Sequence, residues 1–360
     1  MVNRYSHKID VFSPLKIFSH KRVRENLDNL MGIYPITGEM SPSTYCNEAC
    51  EWCMHDSYFD KKSKTNLSLD FGKDILKQLK DLGMLGMIYA ASGEPYLNKS
   101  FNDLLNYGSV NLGLKQAVIT NGSLLNDNDI DNLVRYASWV RVSLDASKSE
   151  TRIKIHGKDN FNTVVENLRK LANRKKKTGS DINIGAQFIV CPSNHIEVAD
   201  AVALFRSTGI DYIQIKPVIH HPLDNKPQET KEFFEEPLRK AHAAKEIFEN
   251  SDFKVHVKDD QFESIMSPDY GRSYNKCLAI FFPVIEADGK VYHCSQTRGL
   301  EDFCIGDLNE SSFKDIWSSK RRSNVIESII LDKCQPVCRN HANNTFLDAV
   351  INPENKSSFI

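Results

Sequence analysis

The stretch "CNEACEWC", residues 46–53, places Cys46, Cys50 and Cys53 within eight positions. Thiols this dense suit metal binding or redox chemistry. A structural zinc site needs a fourth thiolate or imidazole to close its tetrahedron. His55 stands only two residues past Cys53, tighter than the usual zinc spacings. An iron–sulfur cluster on three protein thiolates would instead leave one iron open to a small molecule. Both chemistries stay open on spacing alone.

A second set, Cys277, Cys294, Cys334 and Cys338, follows late in the chain, and Cys191 and Cys304 complete the nine cysteines. Cysteines in a reducing compartment are seldom disulfides, so this number points to metal or redox chemistry. No apolar stretch approaches the roughly 20 residues that span a bilayer. The opening "MVNRYSHKIDVFSPLKIF" lacks the apolar run of a secretory signal. A cytoplasmic location is expected, with no membrane partner. The net charge of −1 offers no global field for nucleic acid. "RKKK" at 174–177 reads as the solvated end of an amphipathic helix.

Elements able to position these thiols alternate along the chain. Short β-rich runs occur at "GEMSPSTY", "MIYAAS", "KQAVITNG", "WVRVSLDA", "INIGAQFIV" and "YIQIKPVI". Amphipathic segments lie between them; in "FNTVVENLRKLA", Phe161, Val164, Val165, Leu168 and Leu171 keep helical spacing. Six strand–helix units imply an α/β fold with a parallel sheet, doubly wound or curved into a partial TIM-like (β/α)6 barrel. The predicted organisation is an arm and short helix over 1–37 and the barrel over 38–252. A small cysteine-rich domain over 253–345 and an irregular tail over 346–360 follow. Within the second domain "FFPVIEADGKVYHC" reads as a hairpin turning at Asp288-Gly289. "SSFKDIW" and "RRSNVIESIIL" read as short helices, and the chain beyond 343 as irregular.

The cysteine triplet follows the first strand, on the face where parallel barrels build active sites. Polar motifs recur at the same ends of later strands. Ser92–Pro95 ends the second, Thr120–Gly122 the third and Ser143–Asp145 the fourth; Gln187 lies in the fifth and Lys216 ends the sixth. Singly each is a turn or a bend. In phase with the strand ends, they make a site.

Together these residues resemble the radical S-adenosylmethionine (SAM) superfamily. "CNEACEWC" matches its C-x3-C-x2-C signature, with Trp52 before the last cysteine, and "SGEP" is similar to its Gly-Gly-Glu-Pro motif with Ser92 in the first place. The resemblance implies a 4Fe–4S cluster on Cys46, Cys50 and Cys53, with SAM on the open iron. It further implies that Ser92, Gly93, Glu94 and Pro95 contact the methionyl amino group. Ser143 would meet the carboxylate or ribose, and Asn121, Gln187 and Lys216 would line the cleft. Reductive cleavage of SAM to a 5′-deoxyadenosyl radical, which abstracts hydrogen from a C–H bond, is the implied activity. A flavodoxin or ferredoxin is the implied electron donor.

The late cysteines resemble the SPASM/Twitch extension of the same superfamily. A full SPASM domain holds two clusters. Only six cysteines lie beyond the triplet, one of them Cys191 in the barrel. The shorter Twitch form is therefore expected, with one auxiliary 4Fe–4S cluster on Cys277, Cys294, Cys334 and Cys338. Structural zinc on the same four is the other reading. Cys191 shares a strand face with Gln187, so Cys191, or Cys304, is a candidate hydrogen donor to a substrate radical. Buried inert thiols are the plainer reading of both.

The expected substrate is a small molecule, a carbohydrate or nucleotide sugar, dehydrogenated or epimerised. "YPITGEMSPSTYCNEACEWC" is similar to proteins of sugar metabolism, and His220, His221 and Lys226 follow the sixth strand where an anionic group could enter. Peptide modification or cofactor maturation is the alternative. It is made less expected because only about 45 residues precede Cys46, with no winged-helix pattern for a leader-recognition module. A non-catalytic zinc scaffold or redox-sensing binding protein is the alternative of another class.

Overall fold

Seven short strands pair in parallel, side by side in chain order. They are β1 (Thr37–Met40), β2 (Gly86–Tyr89), β3 (Lys115–Thr120), β4 (Trp139–Ser143), β5 (Asn183–Val190), β6 (Tyr212–Pro217) and β7 (Lys254–Val257). The computed structural model describes residues 14–53, 64–90, 92–220, 226–267, 272–331, 334, 337–338 and 340–352. His55 and His221 lie outside the described residues.

Helices Leu69–Asp81, Phe101–Val110, Asp127–Tyr136, Phe161–Thr178, Val198–Thr208 and Lys231–Phe248 cover the outer face of the sheet. Their starts are chemically marked. Ser68 caps the first through Phe71 N, and Asn126 with Asp129 forms a reciprocal capping box on the third. Val164, Val165, Leu168 and Leu171 of Phe161–Thr178 are buried, and Phe161 packs at the core's edge. Against them stand Val140, Val142, Ile184, Ala186, Phe188, Ile213, Ile215 and Val255, each at most 1% exposed.

The other face of the same strands carries different chemistry. Ser143, Gln187, Gln214 and His256 are register partners across β4 to β7. Partners in a parallel ladder share a face, as do residues two apart. Arg141, Tyr212 and Lys216 therefore join them, and so does Glu39, through its partners Ile88, Ala117 and Trp139. A wholly buried parallel strand is usually apolar on both sides; here the inner side is polar.

On the far side of β1 a further strand, β8 (Val284–Ile285), pairs with it in parallel. The antiparallel strands β9 (Lys290–Tyr292) and β10 (Cys304–Asp307) continue the same sheet. The expected hairpin is present: Gly289 N donates to Glu286 O at 2.9 Å, and Gly289 has φ +94°, which favours glycine. The two expected short helices are Phe313–Trp317 and Lys320–Glu327. They grip the N-terminal segment: Trp317 Nε1 donates to Ile33 O and Arg322 Nη1 to Met31 O, both at 2.9 Å.

Three expectations about elements are corrected. The change of texture near 254 is β7 and the helix Asp259–Met266, one more strand–helix unit after the six foreseen. The chain beyond 343 is not irregular but continues the helix His341–Ile351, whose Asn344 Oδ1 accepts from Leu278 N and Ala279 N at 2.8 Å. That tertiary anchoring is invisible to local pattern. "HKRVRENLDNLMG" divides into a single turn, Lys21–Arg24, and a 3-10 segment, Leu27–Gly32, broken at Asn29.

Candidate active site

The cysteine loop runs from β1 across the carboxyl ends of the neighbouring strands. Backbone bonds dock it on the helix Ser149–His156: Ala49 N donates to His156 O at 3.0 Å and Glu51 N to Ile155 O at 2.8 Å. Cys53 N donates to Cys50 O at 3.0 Å, and Cys46 is close enough to Cys50 for their charges to interact. All three thiols are unbridged; Cys46 is exposed and the other two half-buried. On the opposite flank Asn47 Nδ2 donates to Ser123 Oγ, and Asn121 Nδ2 to Asn47 Oδ1.

Ser92–Pro95 passes directly beneath this loop. Glu94 N donates to Tyr45 O at 2.8 Å. A Cβ on Gly93 would stand 2.2 Å from Tyr45 O and 2.6 Å from Ser43 O, so only glycine lets the two backbones meet. Glu94 faces inward and is fully engaged, accepting from Thr120 Oγ1 at 2.6 Å, Asn121 N at 2.8 Å and Tyr96 N at 3.2 Å. Burial lifts its carboxyl to about 7 against those bonds. Pro95 opens the 3-10 turn Pro95–Leu97. Ser92 Oγ donates to Glu286 Oε2 at 2.5 Å, reaching the hairpin of β8 and β9. Burial also raises the Glu286 carboxyl, Arg298 and Ser92 partly offsetting it.

The structure brings the remaining cleft residues to one side. Ser143 and Gln187 are register neighbours, and Lys216 pairs with Ile189 two residues above. Gln187 is 6% exposed, and its Oε1 has no hydrogen-bond partner among the described residues. Lys226 Nζ donates to Glu51 O at 2.8 Å, which ties it to the cysteine loop, and His220 contacts Glu229 at 3.1 Å. Cys191, 1% exposed, follows β5 near the charges of Glu51 and Asp145; burial pushes its thiol up to about 12.

Cys304 lies elsewhere, on β10 in a small apolar group with Val284 and Tyr292. The late thiols do gather. Burial, then Cys294, Cys338 and Cys334 in that order, push the Cys277 thiol up to about 12. Asn344 Nδ2 donates to Cys277 Sγ at 3.7 Å. Cys277 thus stands within electrostatic reach of the other three, and a metal cluster would bind such a set as thiolates. The triplet, with its exposed member and close backbone cradle, equally fits a three-thiolate cluster with an open position.

Residues missed from sequence surround these. Glu48, between the first two cysteines, accepts from Arg152 Nη2 at 2.5 Å, Asn160 Nδ2 at 2.7 Å and His156 Nδ1 at 3.0 Å. His156 also lies 3.1 Å from Cys50 Sγ and 3.2 Å from Asp145 Oδ2. Burial opposes charge on this ring, but Asp145, Cys50 and Glu48 outweigh it and hold His156 well above the usual histidine range. In Ser149–His156 the buried residues are Thr151, Arg152, Ile155 and His156, so no apolar stripe advertised the helix's inward face. Arg141 and Gln214, joined at 2.9 Å, had a readable signal: polar residues at alternate positions of otherwise apolar strands.

Residues 40–186 match the family model of the Radical SAM superfamily, and residues 277–340 match that of the SPASM iron–sulfur cluster-binding domain. A cysteine-type anaerobic sulfatase-maturating enzyme of Clostridium novyi is 25% identical over 330 residues, covering 82% of this chain and 84% of that protein. A tungsten-containing aldehyde ferredoxin oxidoreductase cofactor-modifying protein of Pyrococcus furiosus is 22% identical, covering 77% and 79%. Among solved structures, Streptococcus suis SuiB bound to S-adenosylmethionine superposes with a TM-score of 0.67 at 16% identity, covering 86% of this chain and 71% of that one. That likeness shows the shared fold alone. No helix among the described residues is long and apolar enough to cross a membrane.

Proposed function

Because this chain is a radical SAM enzyme with a C-terminal SPASM-type iron–sulfur domain, we propose that it oxidises a polar substrate at an unactivated C–H bond. Cys46, Cys50 and Cys53 would hold the 4Fe–4S cluster. Ser92, Gly93, Glu94, Pro95, Asn121, Ser143, Gln187 and Lys216 would surround S-adenosylmethionine. The bound pair supplies a 5′-deoxyadenosyl radical, a chemistry that belongs to the cofactor. The chain's part is to hold the substrate carbon in reach along the inner sheet face and to keep water out. Cys277, Cys294, Cys334 and Cys338 would hold one auxiliary 4Fe–4S cluster that takes the second electron. The substrate's first electron would leave with the abstracted hydrogen atom. A flavodoxin or ferredoxin in a reducing, cytoplasmic setting would supply the separate electron that reduces the triplet's cluster.

The observation that carries this reading is an unbridged cysteine triplet docked over the strand ends of a sheet with a polar inner face, beside a second, separate set of unbridged thiols. For the substrate, a peptide side chain bearing a hydroxyl or thiol takes first place. The similarity to the sulfatase-maturating enzyme runs through both domains. A carbohydrate or nucleotide sugar is the second reading. It is favoured by the inner-face pair Arg141 and Gln214, which suits a polyol's hydroxyls.

The test is iron and sulfide content with electron paramagnetic resonance on anaerobically reconstituted protein, with and without S-adenosylmethionine. Wild type is expected to hold about eight irons, four for each cluster. The Cys46→Ala/Cys50→Ala/Cys53→Ala protein should keep half and lose the S-adenosylmethionine-dependent signal. Colourless protein with stoichiometric zinc and no iron would defeat the reading. Loss of two hydrogens from a serine- or cysteine-containing peptide, against a panel of nucleotide sugars, then separates the substrate classes by mass.

A further inference from the structure

Behind the cysteine loop, His156 sits 2% exposed between two carboxylates and the Cys50 sulfur. Glu48 Oε2 lies 3.0 Å from Nδ1, and Asp145 Oδ2 lies 3.2 Å from Nε2. The Glu48 carboxylate, which accepts, calls for a hydrogen on Nδ1. Cys50 Sγ lies 3.1 Å from the same Nδ1, within reach of that hydrogen. Every neighbour is itself fixed. Arg152 and Asn160 hold the other oxygen of Glu48. Arg152 Nη1 also donates to Ser143 O at 2.9 Å and Leu144 O at 3.0 Å, tying the group to β4. Asp145 Oδ1 accepts from Ile189 N at 2.7 Å, and the Trp52 ring stands edge-on to the imidazole at 6.4 Å. Such a ring has one orientation open to it.

We propose that His156 is a positioning residue for Cys50: clamped between Glu48 and Asp145, it donates its Nδ1 hydrogen to the Cys50 thiolate and raises the reduction potential of the cluster on that triplet. The proposal rests on the reading of Cys46, Cys50 and Cys53 as cluster ligands. A hydrogen bond to a ligating sulfur draws charge from the metal and stabilises the reduced, more negative state. A ligating sulfur is ionised, so the bond it accepts is stronger than one between neutral groups. Ala49 N and Glu51 N bond to the carbonyls of His156 and Ile155, so the same turn of helix fixes the loop and its sulfur together.

The experiment is an anaerobic potentiometric titration, followed through the S-adenosylmethionine-responsive paramagnetic signal, on wild type, His156→Leu, His156→Gln and Asp145→Asn. His156→Leu is expected to shift the midpoint to more negative potential with wild-type iron content. His156→Gln, whose amide can donate, should recover part of the shift. Asp145 has φ +54°, a conformation asparagine adopts readily. Asp145→Asn therefore removes one clamping carboxylate without touching Cys50, and its midpoint should move the same way by less. An unchanged midpoint in iron-loaded His156→Leu overturns the proposal. Should that variant hold no iron, an unchanged midpoint in Asp145→Asn overturns it instead. Wild-type protein with no iron on the triplet would sink the cluster reading and leave nothing for His156 to tune.

Discussion

Arg298 Nη1 and Glu39 Oε1 meet 2.9 Å apart inside the protein, although 259 positions separate them. Glu39 belongs to β1, and Arg298 follows the hairpin that extends the sheet beyond it. Arg298→Ala would leave a buried carboxylate without its cation, at a cost of roughly 3–5 kcal/mol. Urea unfolding under anaerobic conditions should register that loss. Glu39→Gln/Arg298→Met should recover part of it, because Glu39 then carries no charge, while the Glu286 carboxyl still loses the cation beside it. Wild-type stability in Arg298→Ala would show that the pair does not join the two parts.

Gly93→Ala tests the cradle. The added methyl meets two backbone oxygens rather than a flexible side chain, so the loop must move. A cost of roughly 1–3 kcal/mol is expected. Binding of S-adenosylmethionine to the iron-loaded variant, followed by calorimetry, should fall at least tenfold. Wild-type affinity would place the ligand away from this segment.

Glu94 gives a pH signature. Its folded carboxyl titrates at about 7 through burial, above the ordinary unfolded value of about 4.3. Between those values the folded chain keeps a proton that the unfolded chain has lost. Its contribution is therefore complete below about pH 4.3 and declines as pH rises toward 7. The stability advantage of wild type over Glu94→Gln should shrink across that window and stay level above it. Denaturant unfolding at a series of pH values checks the sign, and an advantage that grows with pH refutes it.

The proposed oxidation needs no thiol donor. Cys191→Ala and Cys304→Ala should therefore keep wild-type iron and product yield. The Cys191 thiol, pushed to about 12, stays protonated across neutral pH and would be able to return a hydrogen atom. Solvent deuterium in the product of wild type, absent from that of Cys191→Ala, would make this thiol the donor of an epimerase and displace the oxidation.

Where chemistry is local, the sequence was readable. The cysteine triplet, Ser92–Pro95 and the Asp288-Gly289 turn each announce themselves within a few residues. The apolar runs of β3 to β6 also name their strands. What stayed hidden depends on distant partners. Nothing near Arg298 names Glu39, and nothing near Asn344 names Leu278. Nothing near Arg152 and His156 names Glu48, which meets them only where the cysteine loop covers their helix. β7 escaped because its four residues "KVHV" alternate too briefly to separate from a loop.

The position of β1 also bears on how the chain reaches this state. One edge of β1 pairs with β2, less than 50 residues on, but the other waits for β8, whose Val284 is the partner of Glu39. Made from its N-terminus, the parallel sheet can form from neighbouring strands while β1 still presents a bare edge. Such an edge is a site for wrong pairing, and closing it late spans most of the chain, which slows folding. The final shutting of the sheet is thus tied to the same hairpin that leads into Cys294. Covering the edge of β1 and placing Cys294 therefore depend on the same segment of chain.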